Sequence, residues 1–328
     1  MGVAAGERTA ATASQRVRAA LVAVGADLIA RLPEGPLIRI AELGGALEYR
    51  VAPERREQAR RNLRRVCRWL AAQDAGPAEA RRAATDDEAL EALVRAAFRH
   101  HGRYWLELIR AGRVSHRYID ERVLIETRDV LDQALAGGPV IFIGLHFGAI
   151  EMPGFYLGHS GRTAVAPMET VADPALQRWF LETRAAMGVR IVGLREARRE
   201  LVAALERGDA AGLVADRDLT GGGIPRSFFG VDAPMPAGPA LLVLETGAPA
   251  YAVAVRRSGP GRYRARLERL SMPAEGTRRE RVEAFLDAEA RAFERFVADA
   301  PEQWWAVFHP IWPDLELPAG AASGGARR

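Results

Sequence analysis

No lysine occurs anywhere in the chain: all 46 basic side chains other than histidine are arginine. Schiff-base and other lysine-centred chemistry is therefore excluded, and so much arginine beside so much alanine reads chiefly as a compositional bias. Arginine stays charged at any working pH and forks onto phosphates and carboxylates, so local clusters still suit anionic lipid surfaces or phosphorylated donors. Cysteine is almost absent. With Cys67 alone, no intramolecular disulfide can form, which fits a reducing cytoplasm. Long apolar runs are missing too: the most apolar stretches, 140–150 and 237–255, are too short or carry His146, Glu245 and Pro249, so neither reads as a spanning helix. The first residues lack the basic-then-apolar order of a secretory signal, and no cleavage is expected. Any membrane contact is expected to be peripheral. The 46 basic against 42 acidic residues leave a net charge of +4, which is no signature of a nucleic-acid partner. His100, His101, His116, His159 and His309 lack paired ligand spacing, so no metal site is expected.

What is present suffices for a sizeable core, since 48% of the 328 residues are hydrophobic. The first third reads as helical. Val17, Leu21, Val24, Leu28 and Leu32 recur at helical spacing with arginines on the other face. Pro53 opens a second helix that carries Leu63, Val66, Cys67 and Leu70 on one side and a run of Arg on the other. A third is expected from Asp87 to Ala111, and a fourth from Tyr118 to Leu135, stopped by Gly137-Gly138-Pro139.

From Pro139 the texture changes to short apolar strands (140–145, 163–166, 189–192, 212–215) alternating with helical patterns (150–157, 174–187, 195–207). Residues 251–255 and 263–267 read as a later, antiparallel pair, and 279–298 as a closing helix. The expected fold class is α/β, with a central mostly parallel or mixed sheet, helices on both faces, and a helical N-terminal region in front. Divided by texture, 1–14 is a flexible start, 15–136 a helical, membrane-facing region, 137–318 the α/β core and 319–328 a flexible tail.

Two segments carry candidate chemistry. In G-L-H-F-G-A-I-E, His146 leaves the end of the strongest strand and Glu151 follows five residues later. Within one continuous helix they would point about 140° apart, so they can meet only if His146 sits at the strand-to-helix junction. There the imidazole could take a proton from a hydroxyl while Glu151 orients the ring, and free amides at the new helix's start could steady an oxyanion. The second segment, from A-D-R-D to M-P-A-G-P-A, puts Asp216, Arg217 and Asp218 directly after a buried strand, where α/β sheets place their ligand crevice. Beyond it, three glycines and Arg226 make a flexible cationic loop, and Phe228 and Phe229 could line an acyl channel. Cys67 has no acid–base partner nearby, and Ser160 in G-H-S-G lacks the nucleophile-elbow pattern.

The order H-F-G-A-I-E, A-P-M-E-T, A-D-R-D-L-T, F-F-G-V-D-A-P-M-P-A-G-P-A resembles the bacterial glycerolipid and lipid A acyltransferase superfamily, and most of all its phosphatidylinositol mannoside acyltransferase branch. The likeness extends from R-Y-W-L-E-L to P-E-Q-W-W. It implies direct transfer of an acyl group from acyl-CoA to a lipid or glycolipid hydroxyl, with His146 as general base, Glu151 as its orienting acid and no further cofactor. By matching position it implies that Glu169 and Arg184 line a substrate pocket and that Asp216, Arg217 and Asp218 bind substrate. It further implies work at an anionic membrane surface, peripherally on the cytoplasmic face. The residues alone leave open a thioesterase using the same pair, or a lipid-binding module without catalysis.

Overall fold

The computed structural model describes residues 24–317 apart from 30, 112 and 113. The expected flexible ends, and most of the helix expected before Arg31, lie outside the described residues.

Helices dominate the first hundred described residues. α1 (Glu34–Val51), which the sequence pattern did not announce, turns Leu37, Ile38 and Gly45 inward. It crosses α4 (Asp87–Arg110) so closely that a Cβ on Gly45 would stand 2.1 Å from the Phe98 carbonyl oxygen. α2 (Pro53–Ala72) begins with Pro53 in its first turn and buries Leu63, Val66, Cys67 and Leu70 as its spacing predicts. After the short α3 (Ala78–Arg82), Asp86 caps α4 by accepting from the amides of Glu88 and Ala89.

The fourth predicted helix is instead three elements: α5 (His116–Arg122), β1 (Val123–Ile125) and α6 (Arg128–Leu135). The branched run Val-Leu-Ile pairs in parallel with β9 (Arg262–Leu270), and Thr127 Oγ1 accepts the Leu267 amide. Sheet pairing overrides helical spacing there.

The core sheet has seven strands in the order β1-β9-β8-β2-β5-β3-β4. β2 (Val140–Gly144), β3 (Ala164–Met168), β4 (Val189–Gly193), β5 (Ala210–Val214) and β8 (Ala250–Gly259) all run parallel, and β9 returns antiparallel against β8. Every residue of β2 is buried. Ile141 and Ile143 join the larger core on one face, with α9 (Ala197–Glu206), α10 (Gly238–Thr246) and α11 (Arg278–Asp299). Val140 and Phe142 join a second core under α6 and α7 (Met152–His159) on the other. Helices thus cover both faces, as the alternating pattern implies. The loop expected after Asp218 folds into a hairpin, β6 (Ile224–Phe228) against β7 (Val231–Met235).

A buried carboxylate in the core breaks the polarity rule. Glu289 of α11 is fully buried and neither carboxylate oxygen has a partner. Burial, reinforced by Asp216 nearby, pushes its carboxyl well above the ordinary range. In the unfolded chain it ionises near 4.5, so rising pH above that value favours unfolding until the folded-state value is reached. Glu289→Met is expected to stabilise the protein at pH 8 by about 1–3 kcal/mol, with a smaller gain at pH 5, as read from urea unfolding at both values.

Candidate functional site

Two parallel neighbours build the site. β2 and β5 are paired in register, with Gly144 opposite Val214. Two residues beyond each, the chain presents His146 and Asp216, 70 residues apart in sequence and side by side at the C-terminal edge of the sheet. His146 Nδ1 lies 2.6 Å from Asp216 Oδ1, and the His146 amide donates to Oδ2 at 2.9 Å. The Trp304 indole donates to the same oxygen at 2.7 Å. Burial opposes ionisation of Asp216, but the charge and hydrogen bond of His146, with the indole and the amide, outweigh it and hold the carboxyl below its usual range. An ionised carboxylate only accepts, so Nδ1 carries the proton and Nε2 is left as the basic nitrogen. The imidazole is one-fifth exposed while Asp216 is sealed.

The segment around His146 is fixed from behind. Gly148 takes φ +52, and a Cβ there would fall 2.0 Å from the Val255 carbonyl oxygen, so only glycine fits. The Gly148 amide donates to the Gln303 carbonyl, the Ala149 amide to Val255, and the Trp305 amide to His146. Arg257, buried in a forked pair with Glu107, donates to the Gly148 carbonyl at 2.9 Å. The Trp305 ring meets the imidazole edge to face at 4.6 Å. With the Phe147 amide donating to Leu145, the amides of residues 146–149 are all committed to holding the turn, so none of these four is free for an oxyanion.

Glu151 does not touch the imidazole through the bond that the five-residue spacing suggested. α7 begins at Met152 and Glu151 is its N-cap residue. Its carboxylate instead accepts from Arg184 of α8 (Pro174–Ala186), at 2.6 Å from Nη2 and 3.3 Å from Nε. Arg184 also lies over the Phe180 ring and donates to the Met168 sulfur. Both members of this pair are largely buried. Arg184→Ala is expected to destabilise the fold by about 3–5 kcal/mol, because it strands a buried carboxylate. Glu151→Gln added to Arg184→Ala should recover part of that loss in thermal unfolding; no recovery would mean that the pair is not what Arg184 stabilises.

The remaining expected residues are engaged in contacts away from the imidazole. Arg217 approaches Glu169 at 3.5 Å, while its Nε is buried without a partner. Asp218 ties the glycine loop, accepting from the amides of Thr220, Gly221 and Gly223. Arg226 sits on β6 between Glu283 and Asp287 of α11. Cys67 is buried, and burial pushes its thiol up to about 12, so it holds no thiolate at neutral pH. Sequence reasoning missed Gln303, Trp304 and Trp305 as members of the site. The quoted P-E-Q-W-W was their signal, but adjacent tryptophans read equally well as packing. Among the described residues no cluster of three or more metal-ligating side chains occurs.

The family that this α/β chain matches makes it an acyltransferase. The chain belongs to the bacterial lipid A biosynthesis acyltransferase family, whose profile matches residues 6–313. It is similar to the phosphatidylinositol mannoside acyltransferase of Mycolicibacterium smegmatis, with 30% identity over 295 residues, 88% of this chain and 90% of that one. The protein of the same name from Mycobacterium tuberculosis is 33% identical over 163 residues, 48% of this chain and 52% of that one.

Proposed function

We propose that the protein transfers a long-chain fatty acyl group from acyl-CoA to a hydroxyl of a glycolipid such as a phosphatidylinositol mannoside, at the cytoplasmic face of the membrane. The hydrogen bond between His146 Nδ1 and Asp216 carries the reading. In the proposed step Nε2 takes the proton of the acceptor hydroxyl as its oxygen attacks the thioester carbonyl. Asp216 steadies the imidazolium that forms. Collapse expels the CoA thiolate, which receives that proton from Nε2, and no covalent acyl-enzyme intervenes.

Two further features support a lipid substrate. A small apolar cavity of about 40 Å³ lies between α7 and strands β2, β8 and β9, lined by Met152, Pro153, Phe142, Leu157, Val253 and Leu267. Its walls offer almost no polar group and suit a short segment of an alkyl chain, not its whole length. On α1, Ile40, Leu43, Leu47 and Val51 are exposed at helical spacing, and Arg39 and Arg50 flank that stripe by the same spacing. An apolar face edged with arginine suits the surface of an anionic bilayer. No helix among the described residues is long and apolar enough to cross a membrane. Leu43→Glu with Leu47→Glu is expected to weaken flotation with anionic vesicles by roughly tenfold or more, since each lost leucine removes about 1.5–3 kcal/mol of burial. Unchanged flotation would assign the contact elsewhere.

Incubation with palmitoyl-CoA and purified phosphatidylinositol mannosides, followed by mass spectrometry of the lipids, tests the reaction. The expected product is a lipid heavier by one palmitoyl group, formed one for one with free CoA. Free palmitate without acylated lipid would make the protein a thioesterase, and no thioester consumption would make it a binding module.

A further inference from the structure

We infer that the protein has a second ligand site, for a phosphate ester with an aromatic or apolar body, in the arginine-lined cleft along α2. The cleft is open to solvent and measures about 540 Å³. Its lining includes five arginines of α2 against the single carboxylate of Glu57.

These arginines are not equivalent. Arg60 is taken by Glu91 and Glu57, and Arg65 pairs with Asp314 while lying 5.0 Å over the Trp312 ring. Those two hold the fold together. The other three, Arg61, Arg64 and Arg68, follow each other at intervals of three and four residues, so they form one strip along the helix. Among the described residues Arg61 has only Glu57, at 3.1 Å, which it shares with Arg60, and Arg64 has only Asp87, a carboxylate 83% exposed; such pairs contribute little. Arg68 is exposed and has no hydrogen-bond or ion-pair partner among the described residues. The strip therefore holds guanidinium forks that a phosphate can recruit at small cost.

The floor of the cleft is of opposite character. Trp69 stands edge-on to Phe229 at 5.2 Å, with Val231 and Leu315 beside them. A bare inorganic anion would leave this floor unused. A small phosphate ester with a ring or a short chain fills both halves. Phe229 in turn packs on Trp304, the residue that donates to Asp216. The floor is thus the outer layer of the aromatic cluster behind the His–Asp pair. The inference goes beyond the acyl-transfer reading and does not rest on it, because ligand binding here requires no turnover.

Calorimetric titration of the full chain with two soluble probes, adenosine 3′,5′-bisphosphate and dihexanoyl phosphatidic acid, tests it and separates a nucleotide source from a lipid one. At least one probe is expected to bind, with tryptophan fluorescence changing on binding. Arg68→Ala combined with Arg61→Ala is expected to weaken that binding at least tenfold, and Arg68→Lys to fall between, since it keeps the charge and loses the fork. His146→Ala should bind as the parent does. Both arginines lie at the surface and their removal leaves no buried partner stranded, so the variants should unfold at the parent's temperature. Binding of neither probe, or binding indifferent to Arg61 and Arg68, would overturn the assignment, whether or not the protein transfers acyl groups.

Discussion

His146→Ala is expected to lower the acyl-transfer rate by roughly a hundredfold or more, the usual cost of losing a general base, while the protein still folds, with some loss of stability because buried Asp216 loses one of its three donors. An alcohol is a poor nucleophile at neutral pH, so the step needs a base within reach of its proton, and Nε2 is the nitrogen left free of Asp216 on an imidazole already fixed by its other side. The folding half of the expectation follows from how the turn is held. Its amides and carbonyls are bound by Gln303, Val255, Trp305 and Arg257; the imidazole itself adds its bond to Asp216 and a ring contact to Trp305, and Asp216 keeps the His146 amide and the Trp304 indole when the ring is gone. Single-turnover measurements with saturating palmitoyl-CoA would report the chemical step, and thermal unfolding the fold. A variant that transfers palmitate at the parent's rate would remove His146 from the mechanism.

The strand of His146 was legible because β2 is buried on both faces and so reads as an unbroken apolar run. Its true partner was not. A motif of a histidine and an acid five residues apart draws attention to what is near in sequence, whereas the fold pairs strands. Asp216 meets His146 because β5 is the in-register neighbour of β2, and the order of strands in a sheet is a property of the whole chain. The signal was present in a form that local reading could not use: Leu145-His146 and Ala215-Asp216 stand at matching offsets from two strands. Glu151 went the other way, since a helix starting at Met152 turns its N-cap residue toward α8 and Arg184.

Other departures have similar causes. Val123-Leu124-Ile125 carries apolar spacing compatible with a helix, and becomes a strand only because β9 offers it an edge. The glycine-rich stretch after Asp218 looked like an open loop, yet Asp218 closes it through three amides and the chain beyond returns as a hairpin. The tryptophans of P-E-Q-W-W read as packing or as a membrane interface; Trp304 is buried in packing, with its indole N–H on the carboxylate that holds His146. What composition and periodicity could not convey in each case was contact between distant segments.

Asp216→Asn is expected to lower transfer by on the order of 10²–10⁴-fold, by analogy with loss of charge behind a catalytic imidazole elsewhere. The amide is nearly isosteric, but it no longer offsets the charge of the imidazolium, and its NH₂ can face Nδ1 and select the wrong tautomer. Because Asp216 also accepts from the His146 amide and the Trp304 indole, some stability should be lost too, and unfolding must be measured beside rate. The decisive comparison is therefore a cycle. If Asp216 acts only through His146, the variant carrying both His146→Ala and Asp216→Asn should be scarcely slower than His146→Ala alone. Glu151, held by Arg184 and not by the imidazole, should behave differently: whatever Glu151→Gln costs should multiply with the loss from His146→Ala. Multiplicative losses for His146 with Asp216, together with non-additive losses for His146 with Glu151, would reverse the assignment and return the orienting role to the nearer acid.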